Sequence, residues 1–504
     1  MLKIITTSGD EIDVKPGNTI EFEMENPIFQ TEYIPTTFST SFRFPPSDRN
    51  KVLLGYLPAL KMPPSVTKLD VSLVLDGIEI ASGMMEYEGI EEDSGDLEYT
   101  FSCKSVEEIL TSKIHEVAHS YSSSLVDVVT PSIASSDKPT PMAYRVFAIK
   151  IKDILAQIEK VNIEDIDDLY VLATYGDSNT LPSSRRLPDV TFSELLKATS
   201  NLFCMALFVD GDKYSLKYIK DILGSPDFLD WSMMVSDKFE AGRIKARGYK
   251  LKYSNSEASP SSEAAASAEE GVTQVNYLKN MIAGAKMGEY KAYRVSFEGG
   301  DTYSINMFQT KLAGGDTIYK RRADLIAHAG NSYEEGTSDK LEVNIPFKLA
   351  ECVPLEYVHG NYPGQAIREW TMCPLLPKVD KDNRTSEMII GEIRNSQFVD
   401  KRATFYPLYP TDNTNGEAQY ATASTHDWSA SRVFSRFHSE LADFIAEDRQ
   451  TISADVNLSP RDINIFRLWQ KVRFSNREWL VKKLTFTIST SRGIISSRGE
   501  FVEI

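Results

Sequence analysis

The residues best suited by type and spacing to do chemistry are His115-Glu116-Val117-Ala118-His119. On an α-helix, positions i and i+4 share a face. The two imidazoles of such an HExxH run can then hold one zinc ion, and the glutamate between them acts as general base on the zinc-bound water. The surroundings argue against that chemistry. Lys113 places a cation two residues before His115, and Ser120-Tyr121-Ser122-Ser123-Ser124 is a polar run that ends a helix early. No HxxGxxH continuation follows, and Glu159 and Glu164, the nearest downstream glutamates for a third ligand, fall beyond the next predicted element. The expectation is an exposed helix end without resident metal. A zinc-dependent peptidase at His115, Glu116 and His119 is the alternative.

Other chemistry leaves fainter traces. No GxSxG, no Walker loop and no GxGxxG after a strand occurs, and Gly299-Gly300 and Gly314-Gly315 read as turns. Cys103, Cys204, Cys352 and Cys373 lie far apart with no CxxC; Cys103 and Cys204 sit in apolar periodic segments and read as small core residues. Trp370, Trp428 and the tyrosines could stack on sugars, which makes a host carbohydrate-binding tip a further alternative, but such residues more often fill cores and subunit interfaces. The sequence therefore assigns no catalytic, cofactor-binding or metal-binding residue, and the chain is expected not to be an enzyme.

The elements that would position any site are mostly β. The chain has 504 residues, more than one core organises, and its 41% hydrophobic and 25% charged content is that of an ordinary soluble protein. A net charge of −17 argues against a nucleic-acid backbone or an anionic membrane as main partner. No apolar run reaches transmembrane length, and the first residues read as a strand entering a Gly9-Asp10 turn rather than as a signal peptide, so synthesis and folding in a cytoplasm are expected.

Along the chain, residues 33–44 form a β-branched and aromatic run stopped by Pro45-Pro46, and residues 51–56 read as a short apolar step. Residues 68–79 alternate apolar and polar into an Asp76-Gly77 hairpin turn, Ile78 and Ile80 start the return strand, and 97–103 is a third strand. Ser105 and Glu108 form a capping box. The spacing of Val146, Ile149, Ile154 and Ile158 predicts a helix over 143–161. Residues 164–168 are an acidic loop before a strand at 169–175. A second capping box, Thr191 with Glu194, opens a helix, and strands at 205–209 and 213–219 follow it. Residues 239–254 read as a strand pair, 254–271 as a Ser/Ala/Glu-rich linker, and 272–430 as a mostly β insertion with strands at 291–297 and 340–347. A helix over 429–448 precedes strands through the C-terminus.

These motifs carry a resemblance. Residues 33–110, with "PPSDRNKVLLGY" and "KSVEEIL", resemble the first domain of tail proteins of phages infecting Bacteroidetes, which are similar to the baseplate hub family. The helix and "LFVDGDKYSLKYIKDIL" resemble the module that follows. "DINIFRLWQKVRFSNREWLVKKLTFTIS" resembles the barrel that ends such hubs. Residues 272–430 have no counterpart. With the resemblance at both ends and in the module, and the pattern of the rest, the expected chain is mainly β (α+β) and multi-domain: a hub-type β domain over 1–120, an α/β helix–hairpin module over 121–235, a strand pair and Ser/Ala/Glu-rich linker over 236–271, a β-rich insertion over 272–430, and a helix plus hub-type barrel over 431–504. The resemblance implies a structural virion protein forming a homotrimeric ring at the distal end of a phage tail. Its partners would be the tail tube, tape measure, fibres and other baseplate proteins, with DNA crossing the channel only in transit and no insertion into a membrane. The chain would be made in the host cytoplasm and reside in the virion tail.

Overall fold

In the computed structural model, the described residues are 2–15, 19–30, 39–55, 60–93, 96–104, 108–116, 125–130, 142–158, 161–175, 187–210, 213–253, 273–274, 290–296, 303–311, 317–321, 332–349, 352–359, 367–374, 388–395, 403–406, 428 and 430–504. The fold is mainly β and built from several sheets, one of them curled into a half-barrel.

The first sheet has six strands in the order Glu11–Ile12, Leu2–Thr6, Lys68–Leu75, Ile78–Asp93, Asp96–Lys104 and Ser39–Phe44. The alternation over 68–75 does what its period requires: Val71, Leu73 and Leu75 are buried on one face. Asp76 and Gly77 both take positive φ, 52° and 85°, the backbone of a primed two-residue turn. The short apolar step at 51–56 is helical as far as Leu54, and Tyr56 lies outside the described residues. A helix, Asp48–Leu54, starts on the Ser47 side chain, which accepts from the Asn50 N–H, and ends at Gly55 with φ 61°. A side chain at Gly55 would collide with Ser65. The proline pair stopped the preceding strand, and the serine after it began a helix.

The terminal sheet runs Phe228–Asp230, Lys471–Phe474, Arg477–Ser489, Gly493–Glu503, Arg449–Val456, Val235–Ile244. Arg477–Ser489 is 13 residues long, so one edge of it accommodates two neighbours. Lys471–Phe474 pairs with its first turn-proximal residues, and Thr19–Glu25 pairs antiparallel with the rest, from Thr19 opposite Ser489 to Glu25 opposite Lys483. Strands from residues 19–25, 228–230, 235–244 and 449–503 thus share one hydrogen-bonded unit that crosses four of the expected segments. Its core is aromatic. Phe22 stacks on Phe486 at 5.0 Å, Phe474 on Trp479 at 5.0 Å, and Phe501 meets Phe474 edge-on at 4.9 Å.

Two helix and strand expectations change. Residues 143–161 are not one helix: Met142–Lys150 is a strand held on both sides, by Leu125–Thr130 and Tyr170–Tyr175, and among the described residues of this range the helical ones are Ile151–Leu155. Two ladders outweighed a near-helical spacing that β-branched residues also satisfy. Residues 239–254 do not pair with each other. Val235–Ile244 joins the terminal sheet, whereas Gly248–Tyr253 lies between Ser332–Glu335 and Lys340–Ile345. The intervening Lys245-Ala246-Arg247 lacks hairpin chemistry.

The insertion is β-rich, with Tyr290–Ser296 and Tyr303–Lys311 in a four-stranded sheet and Cys352–His359 paired to Ile367–Pro374. Its strands also leave it: Phe347–Leu349 and Met388–Asn395 extend the sheet of Met142–Lys150. The linker at 254–271, the Ser105 cap, both glycine pairs and His119 lie outside the described residues. Among the described residues no helix is long and apolar enough to cross a membrane.

Candidate functional site

The helix Phe192–Phe203 is the platform on which the most distant segments meet. Its capping box is complete: Thr191 Oγ1 accepts from the Glu194 N–H at 3.1 Å, and the Glu194 carboxylate accepts from the Thr191 N–H at 2.6 Å. Leu195, Leu196, Thr199, Leu202 and Phe203 are buried. Cys204 ends the helix with φ 49° and turns the chain into Met205–Asp210, which pairs with Lys213–Tyr218.

Against this platform lies the C-terminal helix. It is regular over Ala430–Val433 and Ser439–Ile445 but widens to a π-turn over Phe434–His438. Apolar spacing puts Val433, Phe434, Phe437, Leu441, Phe444 and Ile445 on one side of this helix; the first five are buried and Ile445 is partly buried. His438 falls on the same stripe and is 1% exposed. Its Nδ1 lies 2.6 Å from Tyr249 Oη and its Nε2 lies 3.3 Å from Leu202 O. A carbonyl only accepts, so Nε2 carries the proton, Nδ1 is an acceptor, and Tyr249 donates to it. Burial pushes the imidazolium down to about 4, opposed by hydrogen bonds to the Leu202 and Asn201 backbone. Burial also raises the Tyr249 phenol well above its ordinary value.

Around this pair are further cross-links. Tyr253 Oη donates to Trp428 O at 2.8 Å, and Asn201 Nδ2 to Asn344 O at 2.6 Å. The acidic loop at 164–168 is a clasp. Glu164 meets Lys217 at 3.2 Å, Asp165 meets Lys152 at 2.5 Å, Asp168 meets Lys150 at 2.6 Å, and Asp167 pairs with Arg436. Each carboxylate is matched by a side-chain cation, which leaves little field for a metal ion. A cavity of about 70 Å³ opens between the Pro27–Phe29 turn, the platform helix, Tyr249, Val343 and His438.

A cysteine and a histidine line this cavity, yet they do not form a nucleophilic pair. The Cys204 thiol is pushed far up by burial, and both ring nitrogens of His438 are engaged by other groups. The junction is built to hold segments together.

The sequence-derived candidates fall elsewhere. Residues 112–116 form a bridge and turn rather than a helix: Lys113 pairs with Thr191, and the Glu116 N–H donates to Lys113 O. The His115 Nε2 lies 3.3 Å from Asp189, and its Nδ1 is buried without a hydrogen-bond partner. Among the described residues no three His, Cys, Asp or Glu side chains converge as metal ligands. Trp428 is buried against Phe203 and Phe437 with Arg436 over its ring, which removes it from sugar stacking. Cys204 is a buried core thiol, as its apolar segment indicated. The His438–Tyr249 contact was missed, although a polar residue on an otherwise apolar helix stripe was the available signal.

No protein-family model matches the sequence, and no curated protein matches it. Solved structures of tail proteins are distantly similar to this chain. One is a tail protein from Neisseria meningitidis MC58, with TM-score 0.37 and 9% identity, covering 100% of this chain and 96% of that one. Another is the 43 kDa tail protein of prophage MuSo2 from Shewanella oneidensis, with TM-score 0.33 and 8% identity, covering 100% and 98%. An E. coli type VI secretion component, described as structurally similar to the T4 bacteriophage tail proteins gp27 and gp5, has TM-score 0.24 and 10% identity, covering 81% and 99%. Similarity this low establishes neither a shared fold nor a shared function.

Proposed function

We propose that this chain is a structural, non-enzymatic component of a phage tail, a hub or baseplate protein that assembles into a homotrimeric ring around the DNA channel. Its partners are the tail tube, tape measure, fibres and neighbouring baseplate proteins; it is made in the host cytoplasm and resides in the virion. Residues 1–120 and 431–504 supply the ring, and 121–235, 236–271 and 272–430 form the module, linker and insertion between them. The supporting sequence feature is the run 462–489, whose resemblance to terminal hub barrels falls on Lys471–Phe474 and the long strand Arg477–Ser489, to which Thr19–Glu25 is joined from near the start of the chain.

The observation that carries assembly is the strand Val235–Ile244. It closes the sheet on one side, residues 237–243 are all exposed, and its outer edge has no neighbour among the described residues. An open ladder with neither face buried is a template for another chain. Light scattering across a concentration series tests the reading. A trimer supports it, and Phe239→Lys on the exposed edge should lower the assembly state without unfolding the protomer. A stable twofold dimer would sink it, because a twofold dimer cannot build a threefold ring.

A further inference from the structure

The buried imidazole at the centre of the junction has a consequence that does not depend on the tail reading. We propose that His438 is an acid-sensitive latch: its protonation releases the helical segment 430–445 from the platform helix Phe192–Phe203 and from the strand Gly248–Tyr253, while the terminal sheet stays folded.

The geometry supplies the reason. In its neutral form the ring satisfies Leu202 O through Nε2–H and takes the Tyr249 hydroxyl proton at Nδ1. A second ring proton would occupy Nδ1. Tyr249 would then have to turn its hydroxyl hydrogen away, and it has no other hydrogen-bond partner among the described residues. Both the new charge and the freed hydroxyl would be buried, which is costly. The groups that face the ring do not offset this. Tyr249 comes from its strand and the Cys204 thiol from the end of the platform helix; both are neutral. Lys197 of the platform helix also lines the cavity, and Lys220 on Ile219–Gly224 lies close enough to Cys204 to act on it; both are cations and disfavour an imidazolium. On the helix itself Arg436 is a further cation, paired with Asp167. Glu440, an acid on the same helix, acts on Cys204 more strongly than Lys220 and so offsets that cation; it accepts from Ser439 and makes no hydrogen bond to His438, so burial remains the dominant cost.

The latch holds together segments that have little else to tie them covalently near each other: Tyr249 and His438 are 189 residues apart, and Leu202 and His438 are 236. The terminal sheet has no comparable histidine. Its strands are joined mainly by backbone ladders and an aromatic core, which do not titrate, and the ion pairs that add to them, such as Lys483 with Glu23 and Glu25 and Arg477 with Glu503, are partly exposed.

The sign follows from the burial. A histidine whose proton affinity is lowered in the docked state stabilises docking while neutral; that contribution is present above the ordinary histidine range and is lost as pH falls from about 6.5 toward about 4. Between pH 7.5 and pH 4.5 the equilibrium constant for docking should fall roughly seventyfold. The experiment is hydrogen exchange by mass spectrometry on the full chain at pH 7.5 and 4.5, corrected for intrinsic exchange rates. Peptides from 430–445, 248–253 and 192–203 should lose protection at pH 4.5, and peptides from 477–503 should not. His438→Gln, which can still donate to Leu202 O but cannot charge, should abolish the difference between the two pH values. Equal acid sensitivity in His438→Gln, or full protection of 430–445 at pH 4.5 in the wild type, would overturn the latch. If that variant does not fold, histidine-selective NMR of the wild type decides: a His438 ring titrating near 6.5 excludes the mechanism, and one that stays neutral to well below 5.5 until 430–445 is released supports it.

Discussion

The terminal sheet and the junction around His438 are both well buried, yet they are held by different physics. In the sheet, continuous backbone ladders join the strands: Arg477–Ser489 pairs with Gly493–Glu503 across a short turn and with Thr19–Glu25 from near the start of the chain, and Phe474, Trp479 and Phe501 pack together. Where a polar group is buried there, it is satisfied. Trp479 Nε1 donates to Phe474 O at 3.3 Å, and Asn26 Nδ2 donates to Leu468 O and Val481 O at 2.8 and 2.9 Å. In the junction the ladders are short and the closing contacts are single side-chain hydrogen bonds and ion pairs between remote segments. Burial of apolar area is insensitive to pH and salt, whereas a lone polar clasp depends on one protonation state or one charge pair. The sheet is therefore the part expected to endure, and the junction the part expected to respond.

The sharpest test of that contrast is Trp479→Ala. The ring is 1% exposed and stacked on Phe474, so the change should cost roughly 3–5 kcal/mol, read as a lowered midpoint in chemical denaturation. A loss under about 1 kcal/mol would mean that the aromatic core is not what holds the sheet. Next is Tyr249→Phe, which keeps the ring and leaves the His438 Nδ1 buried without its donor; about 1–3 kcal/mol should be lost, mostly as faster exchange in 430–445 rather than in the sheet. Thr191→Ala removes one half of a complete capping box and should cost about 1 kcal/mol, confined to the helix it starts. The smallest change is expected for Asp167→Asn. Its partner Arg436 still lies over Trp428 and Phe437, both charges are partly exposed, and the effect should stay within about 0.5 kcal/mol and vanish in high salt. If Asp167→Asn instead loosened the junction as much as Tyr249→Phe, the ion-pair clasp and not the histidine would be its main tie.

Local chemistry was legible wherever neighbouring residues decide the outcome. The Asp76-Gly77 turn, the Thr191–Glu194 capping box, the helix–hairpin module and the inward stripe of the C-terminal helix follow from spacing and turn residues alone, because each forms within one continuous stretch of chain. The acidic loop was also visible, although its four basic partners were not.

What the tertiary structure decided is which of these pieces touch. Met142–Lys150 became a strand because ladders on both sides outweighed a helical spacing, and Val235–Ile244 left its presumed partner for a strand more than two hundred residues away. His115 lost its helical setting because residues 112–114 are drawn to 190–192 by backbone hydrogen bonds. Thr19–Glu25 found its place only when Arg477–Ser489 existed to pair with it. A single sequence encodes hydrophobic period and turn chemistry directly, but long-range register depends on competition among many strands of similar propensity, and that competition is settled only when the whole chain packs.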